Sequence, residues 1–123
     1  MFDSEIVKNS LVNILSVCKT IEERSAQMTC GDDFALSPGG MLKLDAVCMN
    51  LIAIGEAVKG LDKVTHGELL PKYTQVYWSG VMRMRDKIAH HYFEVDADVV
   101  YSTIKEDIPV LKKTIQQMLE DLK

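Results

Sequence analysis

Residues that break helices are scarce in this chain of 123: seven are glycine and three are proline, against 47% apolar residues, which excludes a disordered chain. Cysteine is also sparse. Three residues (Cys18, Cys30, Cys48) make an odd number, with no Cys-x-x-Cys pair. Cys18 and Cys48 stand at apolar helical positions and read as small core residues, as in a reduced, cytoplasmic protein. There is no long hydrophobic run. The richest, Leu51 to Val58, contains Glu56 and falls far short of the roughly 20 residues a membrane span needs. The start, Met-Phe-Asp-Ser-Glu, lacks the basic and apolar regions of a signal peptide. Net positive charge is missing too. At −4 the chain cannot be a general nucleic-acid coat, so any such contact must be local. Arg83, Arg85 and Lys87 form the tightest basic cluster. No Glu-x-x-His, His-Glu-x-x-His, phosphate-loop or dinucleotide glycine pattern occurs, so neither a metal nor a cofactor is expected.

What is present is helical periodicity. Ile6, Leu11, Ile14, Leu15, Cys18 and Ile21 predict a first helix over about 3–24, capped by Asp3 or Ser4. Residues 26–37 read as a loop whose Phe34 tucks back onto the core. Ser37-Pro38 is a start signal for a second helix, about 39–59, closed by Gly60. Its Leu44, Val47, Cys48, Leu51, Ile54, Val58 and Leu61 are apolar, and Ala46, Ala53, Gly55 and Ala57 admit a close neighbour. Glu56 faces either solvent or an arginine of the third helix. That helix runs over about 75–91, capped by Thr74, with Val76, Gly80, Val81, Met84, Ile88 and Ala89 packing inward. Asp96 caps a fourth helix with a stripe of Val99, Val100 and Ile104, kinked or split by Pro109. Leu111, Ile115, Met118, Leu119 and Leu122 continue the stripe. The expectation is one domain over 1–123, an all-α, up-down bundle of four to five helices, kinked near Pro109.

One stretch carries chemistry: Met82-Arg83-Met84-Arg85-Asp86-Lys87-Ile88-Ala89-His90-His91-Tyr92. Arg85 and His90 lie about 140° apart on an ideal helix and share no face. Asp86 and His90, four apart, share one, and that carboxylate would fix the imidazole tautomer as catalytic support. Arg85 would reach the same phosphate only at a frayed helix end or across a second subunit. RNA brings its own nucleophile, the 2′-hydroxyl. A histidine to move protons and an arginine on the phosphorane suffice, and a two-fold dimer would supply two of each. His91 is a secondary rival to His90. Arg83, Lys87 and His91 are candidate phosphate contacts. Taken singly, the bland readings stand: Arg85 as a surface cation, His90 as a helix-end histidine, Tyr92 as packing. His66 lies in a polar loop without a partner.

Arg85-Asp86-x3-His90-x-Tyr92 resembles the Arg-x4-His-x-Tyr motif of HEPN-domain toxins of the HepT type. Ile54-Gly55-Glu56-Ala57 looks like the Gly-Glu-Ala of that family's second helix. Trp78 sits seven before the motif arginine, and Tyr92-Phe93-x-Val95-Asp96, Val100 and Ile108-Pro109 look like its entry into the last helices. Tyr77, Arg83 and His91 depart from it, where proline, a small residue and glycine are common. The resemblance implies a HEPN-like bundle that forms a homodimer. It implies metal-independent cleavage of messenger or transfer RNA, with Arg85 and His90 as the catalytic residues. It also implies a nucleotidyltransferase antitoxin of the MNT type, which neutralises the toxin by transferring AMP to Tyr92. An alternative is a non-catalytic HEPN module that binds a nucleotide or docks the nucleotidyltransferase; a third reading is a plain structural bundle.

Overall fold

The computed structural model describes residues 2–123 and is all helical. Helix α1 spans Ser4–Arg24, and the Asp3 carboxylate accepts from Glu5 N at 2.9 Å. Its buried residues are Val7, Leu11, Ile14, Cys18 and Ile21, alternately four and three apart, a narrow stripe that faces two neighbouring helices. Ile6, expected in the core, is half exposed because Val7 holds that position. The stretch expected as a loop contains one helical turn, α2 (Asp32–Ala35), which exists to bury Phe34 completely, as its apolar ring in a polar segment foretold.

Helix α3 runs Pro38–Val64, with the Ser37 hydroxyl accepting from Gly40 N at 2.9 Å and proline at the first helical position. It passes straight through Gly60, the expected stop. One interior glycine costs only about 1 kcal/mol of helix stability, and burial of Leu61 offsets it. The actual stop comes later. His66 and Gly67 adopt φ of 55° and 71°, and Gly67 N reaches back to Asp62 O at 2.8 Å.

Helix α4 (Trp78–His90) begins three residues later than expected, without a side-chain cap, so Thr74 does not serve. Trp78 anchors this end: its ring is buried and its Nε1 donates to Tyr73 O at 2.9 Å. Ile88 is buried, but Ala89 faces solvent. Asp96 caps α5 (Ala97–Ser102), accepting from Asp98 N at 2.8 Å. A wide π turn, Thr103–Asp107, then leads into α6 (Ile108–Asp121). Pro109 accounts for the wide turn, because its missing N–H and bulky ring disrupt the regular ladder one turn back. Val100, Ile104, Ile108, Leu111, Ile115 and Met118 remain in one buried row across the turn, whereas Val99 is exposed.

Helix α3 is central: it packs against α1, α2 and α4, while α6 closes the bundle over α1. Cys18 and Cys48 are buried free thiols, and burial first, then a nearby carboxylate, pushes them up to about 12 and about 11. Among the described residues, no helix is long and apolar enough to cross a membrane. A Cβ at Gly60 would meet nothing within 4 Å, and the position is exposed. Gly60→Ala should therefore raise unfolding stability by about 0.5–1 kcal/mol in a urea titration followed by circular dichroism.

Candidate active site between α3 and α4

The motif helix α4 runs antiparallel to α3, and the crossing is set at one point. A Cβ on Gly55 would lie 2.2 Å from Arg85 Cβ, far inside the closest approach of non-bonded carbon atoms. Only glycine lets the stem of Arg85 lie flat on α3. The guanidinium then meets two carboxylates. Its Nε lies against Glu56 Oε1 as a charge contact without hydrogen-bond alignment, and its Nη1 donates to Asp86 Oδ1 at 3.1 Å. Lys59 Nζ donates to the same Asp86 oxygen at 2.8 Å. The result is a row of alternating charge: Lys59, Asp86, Arg85, Glu56. The Arg85 side chain is 21% exposed and that of Glu56 is 53% exposed, so the network opens outward on the glutamate side.

Of the two readings of Glu56, the arginine contact is therefore the one realised. The expected contact between Asp86 and His90 does not form: Asp86 turns to Lys59 and Arg85. A charged ammonium from the facing helix outcompetes an imidazole on its own helix. Lys59 first, then Arg85, holds the Asp86 carboxyl below its ordinary range. The basic cluster is also split. Successive alternate residues lie about 200° apart, so Arg83 and Lys87 share an exposed face while Arg85 points at α3. Arg83 is engaged elsewhere, its guanidinium 5.1 Å from the Tyr77 ring centroid and donating to the Tyr77 hydroxyl.

His90 is the last residue of α4, exposed, and hydrogen-bonded to none of the described side chains. His91 leaves the helix at φ −137°, ψ 44°; its Nδ1 stands 3.9 Å from Glu94 Oε2, too far for a hydrogen bond. Tyr92 turns back onto the first half of α3, where its hydroxyl donates to Asp45 Oδ1. Burial first, then that carboxylate, pushes the phenol well above its ordinary range. Asp45 lies ten residues before Gly55, about 15 Å along α3. Within this chain, Tyr92 and Arg85 therefore occupy separate stations along α3. His66 is exposed in the left-handed turn after α3.

Asp45 and Lys59 were not legible as site residues, because each acquires its role only from α4. The antiparallel register was the available signal: once Gly55 meets Arg85, Lys59 falls one turn beyond and Asp45 falls opposite Tyr92. Among the described residues, no three His, Cys, Asp or Glu side chains converge to hold a metal ion. An apolar cavity of about 300 Å³, lined by Leu51, Ile54, Val76, Met84 and Leu111 among others, touches none of Arg85, His90 and Tyr92.

The charge row makes a pH prediction. Lys59 favours the ionised Asp86, so its stabilising contribution is present above the ordinary carboxylate range and is lost as pH falls through the lowered pKa. An NMR titration should find Asp86 titrating low in the wild type and moving upward in Lys59→Met.

Comparison with known proteins follows the same lines as the geometry. The family model described as "Ribonuclease HepT-like" matches residues 14–118. The "Probable ribonuclease HepT" of Thermococcus cleftensis is 33% identical over 111 residues, 90% of this chain and 94% of that protein. A protein of Caldanaerobacter subterraneus subsp. tengcongensis, named "Putative RNase", is 34% identical over 110 residues, 89% and 91% of the two chains. A Methanocaldococcus jannaschii protein with the same designation is 36% identical over 77 residues, and that match spans 60% of its length. No solved structure matches. With the family model covering most of the chain from α1 to α6, this protein belongs to the HepT-like ribonuclease family.

Proposed function

We propose that this chain is the ribonuclease toxin of a HepT/MNT-type toxin–antitoxin pair, and that it cleaves RNA without a metal at a site shared by two copies. The observation that carries the reading is the clamped guanidinium of Arg85. Glu56 holds its Nε side and Asp86 its Nη1, leaving the Nη2 end without a partner among the described residues. A phosphate oxygen fits there, and the half-exposed Glu56 can swing aside to admit a second.

The chemistry follows from the substrate. A histidine takes the proton of the RNA 2′-hydroxyl as that oxygen attacks phosphorus. The bond to the 5′-oxygen breaks, that oxygen takes up a proton, and a 2′,3′-cyclic phosphate remains. Arg85 stabilises the charge on the phosphorane, and His90, exposed at the end of α4, moves the protons. Arg85 and His90 point apart in one protomer. A symmetric homodimer would bring Arg85 of one copy toward His90 of the other, with Arg83, Lys87 and His91 guiding the strand. Tyr92 is the residue at which an MNT-type nucleotidyltransferase would place AMP from ATP, the phenol oxygen losing its proton and bonding the α-phosphorus as pyrophosphate leaves, and so silence the toxin. Asp86 supports the site through Arg85 rather than through His90.

The neutralised charge row favours one second reading, in which the pocket binds a nucleotide or docks the nucleotidyltransferase without cleaving RNA. The two readings separate in one assay. With unmodified protein in excess EDTA, wild type should cleave a broad RNA panel, and Arg85→Ala and His90→Ala should each lose about 100-fold or more in rate. No cleavage by wild type, together with measurable nucleotide binding, would support the second reading. Equal cleavage by wild type and His90→Ala would remove His90 from the mechanism.

A further inference from the structure

We propose that Asp45 is a positioning residue for the ribonuclease site: through Tyr92 it ties the turn that follows α4 to α3 and so holds His90 in place. The inference rests on the reading of His90 as the proton-transfer residue.

Apart from Val95, which packs partly buried against the core where the turn ends, the turn has little else to hold it. His91 breaks the helix, and residues 92–94 form a single tight turn. Its backbone hydrogen bonds are all local: His91 N to Lys87 O at 2.8 Å, Glu94 N to His91 O at 2.9 Å, and Val95 N to Tyr92 O at 3.1 Å. None fixes the turn against another element. Phe93 is fully exposed and contributes no packing, and His91 and Glu94 are exposed as well. Among the described residues, the hydroxyl of Tyr92 on the Asp45 carboxylate is the one hydrogen bond from this turn to α3. His90 has no hydrogen-bonded side-chain partner of its own, so its place depends on its helix end and on the residue two positions later.

The same bond makes the turn responsive to chemistry on the phenol. Any phosphoryl-linked group placed on the Tyr92 oxygen removes the donor and sets an anion against the Asp45 carboxylate. The two then repel, and the turn leaves α3. Modification would thus silence the site by displacing His90 as well as by obstructing RNA. This matters because Arg85 of the same protomer lies about 15 Å further along α3.

The test uses Tyr92→Phe, Asp45→Ala, Asp45→Asn and the double variant Asp45→Ala/Tyr92→Phe. Tyr73→Phe serves as a control, since Tyr73 donates to Asp121 at 2.6 Å in a matching pair away from the motif. Hydrogen exchange by mass spectrometry reads the amides of 88–95, and RNA cleavage reads kcat and KM separately. Tyr92→Phe and Asp45→Ala should each speed exchange in 88–95 and lower kcat by about tenfold or more with little change in KM. The double variant should be no worse than either single one. Asp45→Asn, whose amide oxygen still accepts from the phenol, should restore most of the rate, and Tyr73→Phe should change neither readout. Unchanged exchange and kcat in Asp45→Ala would overturn the proposal. If wild type shows no His90-dependent cleavage, the catalytic reading fails, while the exchange data still decide whether Asp45 and Tyr92 fasten the turn.

Discussion

The close approach of α4 to α3 at Gly55 is the constraint on which the rest of the site depends. Helices normally pack 8–10 Å apart on their side chains. Here a missing Cβ lets the stem of Arg85 lie directly on the α3 backbone. That single contact fixes the antiparallel register. It delivers Arg85 to Glu56, Asp86 to Lys59, and, two turns further on, Tyr92 to Asp45. The site is therefore a property of a helix pair and is written on neither helix alone.

The electrostatics follow from the same packing. A lone arginine lying on a helix surface would hold its guanidinium partly desolvated without compensation. The alternating row from Lys59 to Glu56 supplies that compensation and sets the guanidinium plane. The row is neutral, which agrees with a chain whose net charge of −4 gives it no general attraction for nucleic acid. In the proposed reaction a first phosphate oxygen meets the open Nη2 end of Arg85, and a second takes the place of Glu56, the more exposed carboxylate. In the proposed ribonuclease, affinity for RNA would then come from several local contacts and from a second copy, not from a broad basic surface.

Much of the bundle was legible because it rests on local rules. Asp3, Ser37-Pro38 and Asp96 start helices in the sequence as in the structure, Phe34 is drawn inside, and Pro109 marks the place where the last helix widens. The errors arose where tertiary packing overrides a local rule. Gly60 reads as a stop, yet burial of Leu61 carries the helix past it. Ile6 and Val7 are equally apolar in sequence, and only the direction of the neighbouring helices selects Val7. In the site, the Arg85 to Tyr92 motif is visible in the sequence, and the contact of Glu56 with Arg85 was one of two readings left open there. The choice of Asp86 for Lys59 over His90 could not be read in advance, nor could the role of Asp45, because both depend on a register that the α3–α4 contact alone determines.

The geometry of the site turns on Gly55. The most direct test is to replace it with alanine and to compare RNA cleavage with helical content. A methyl at that position must push α4 away, at a cost of about 1–3 kcal/mol, without removing any residue of the charge row. The prediction is a folded helical protein with lowered stability, in which RNA cleavage is lost nearly as completely as in Arg85→Ala. Full cleavage by a folded Gly55→Ala protein would contradict the claim that this contact builds the site.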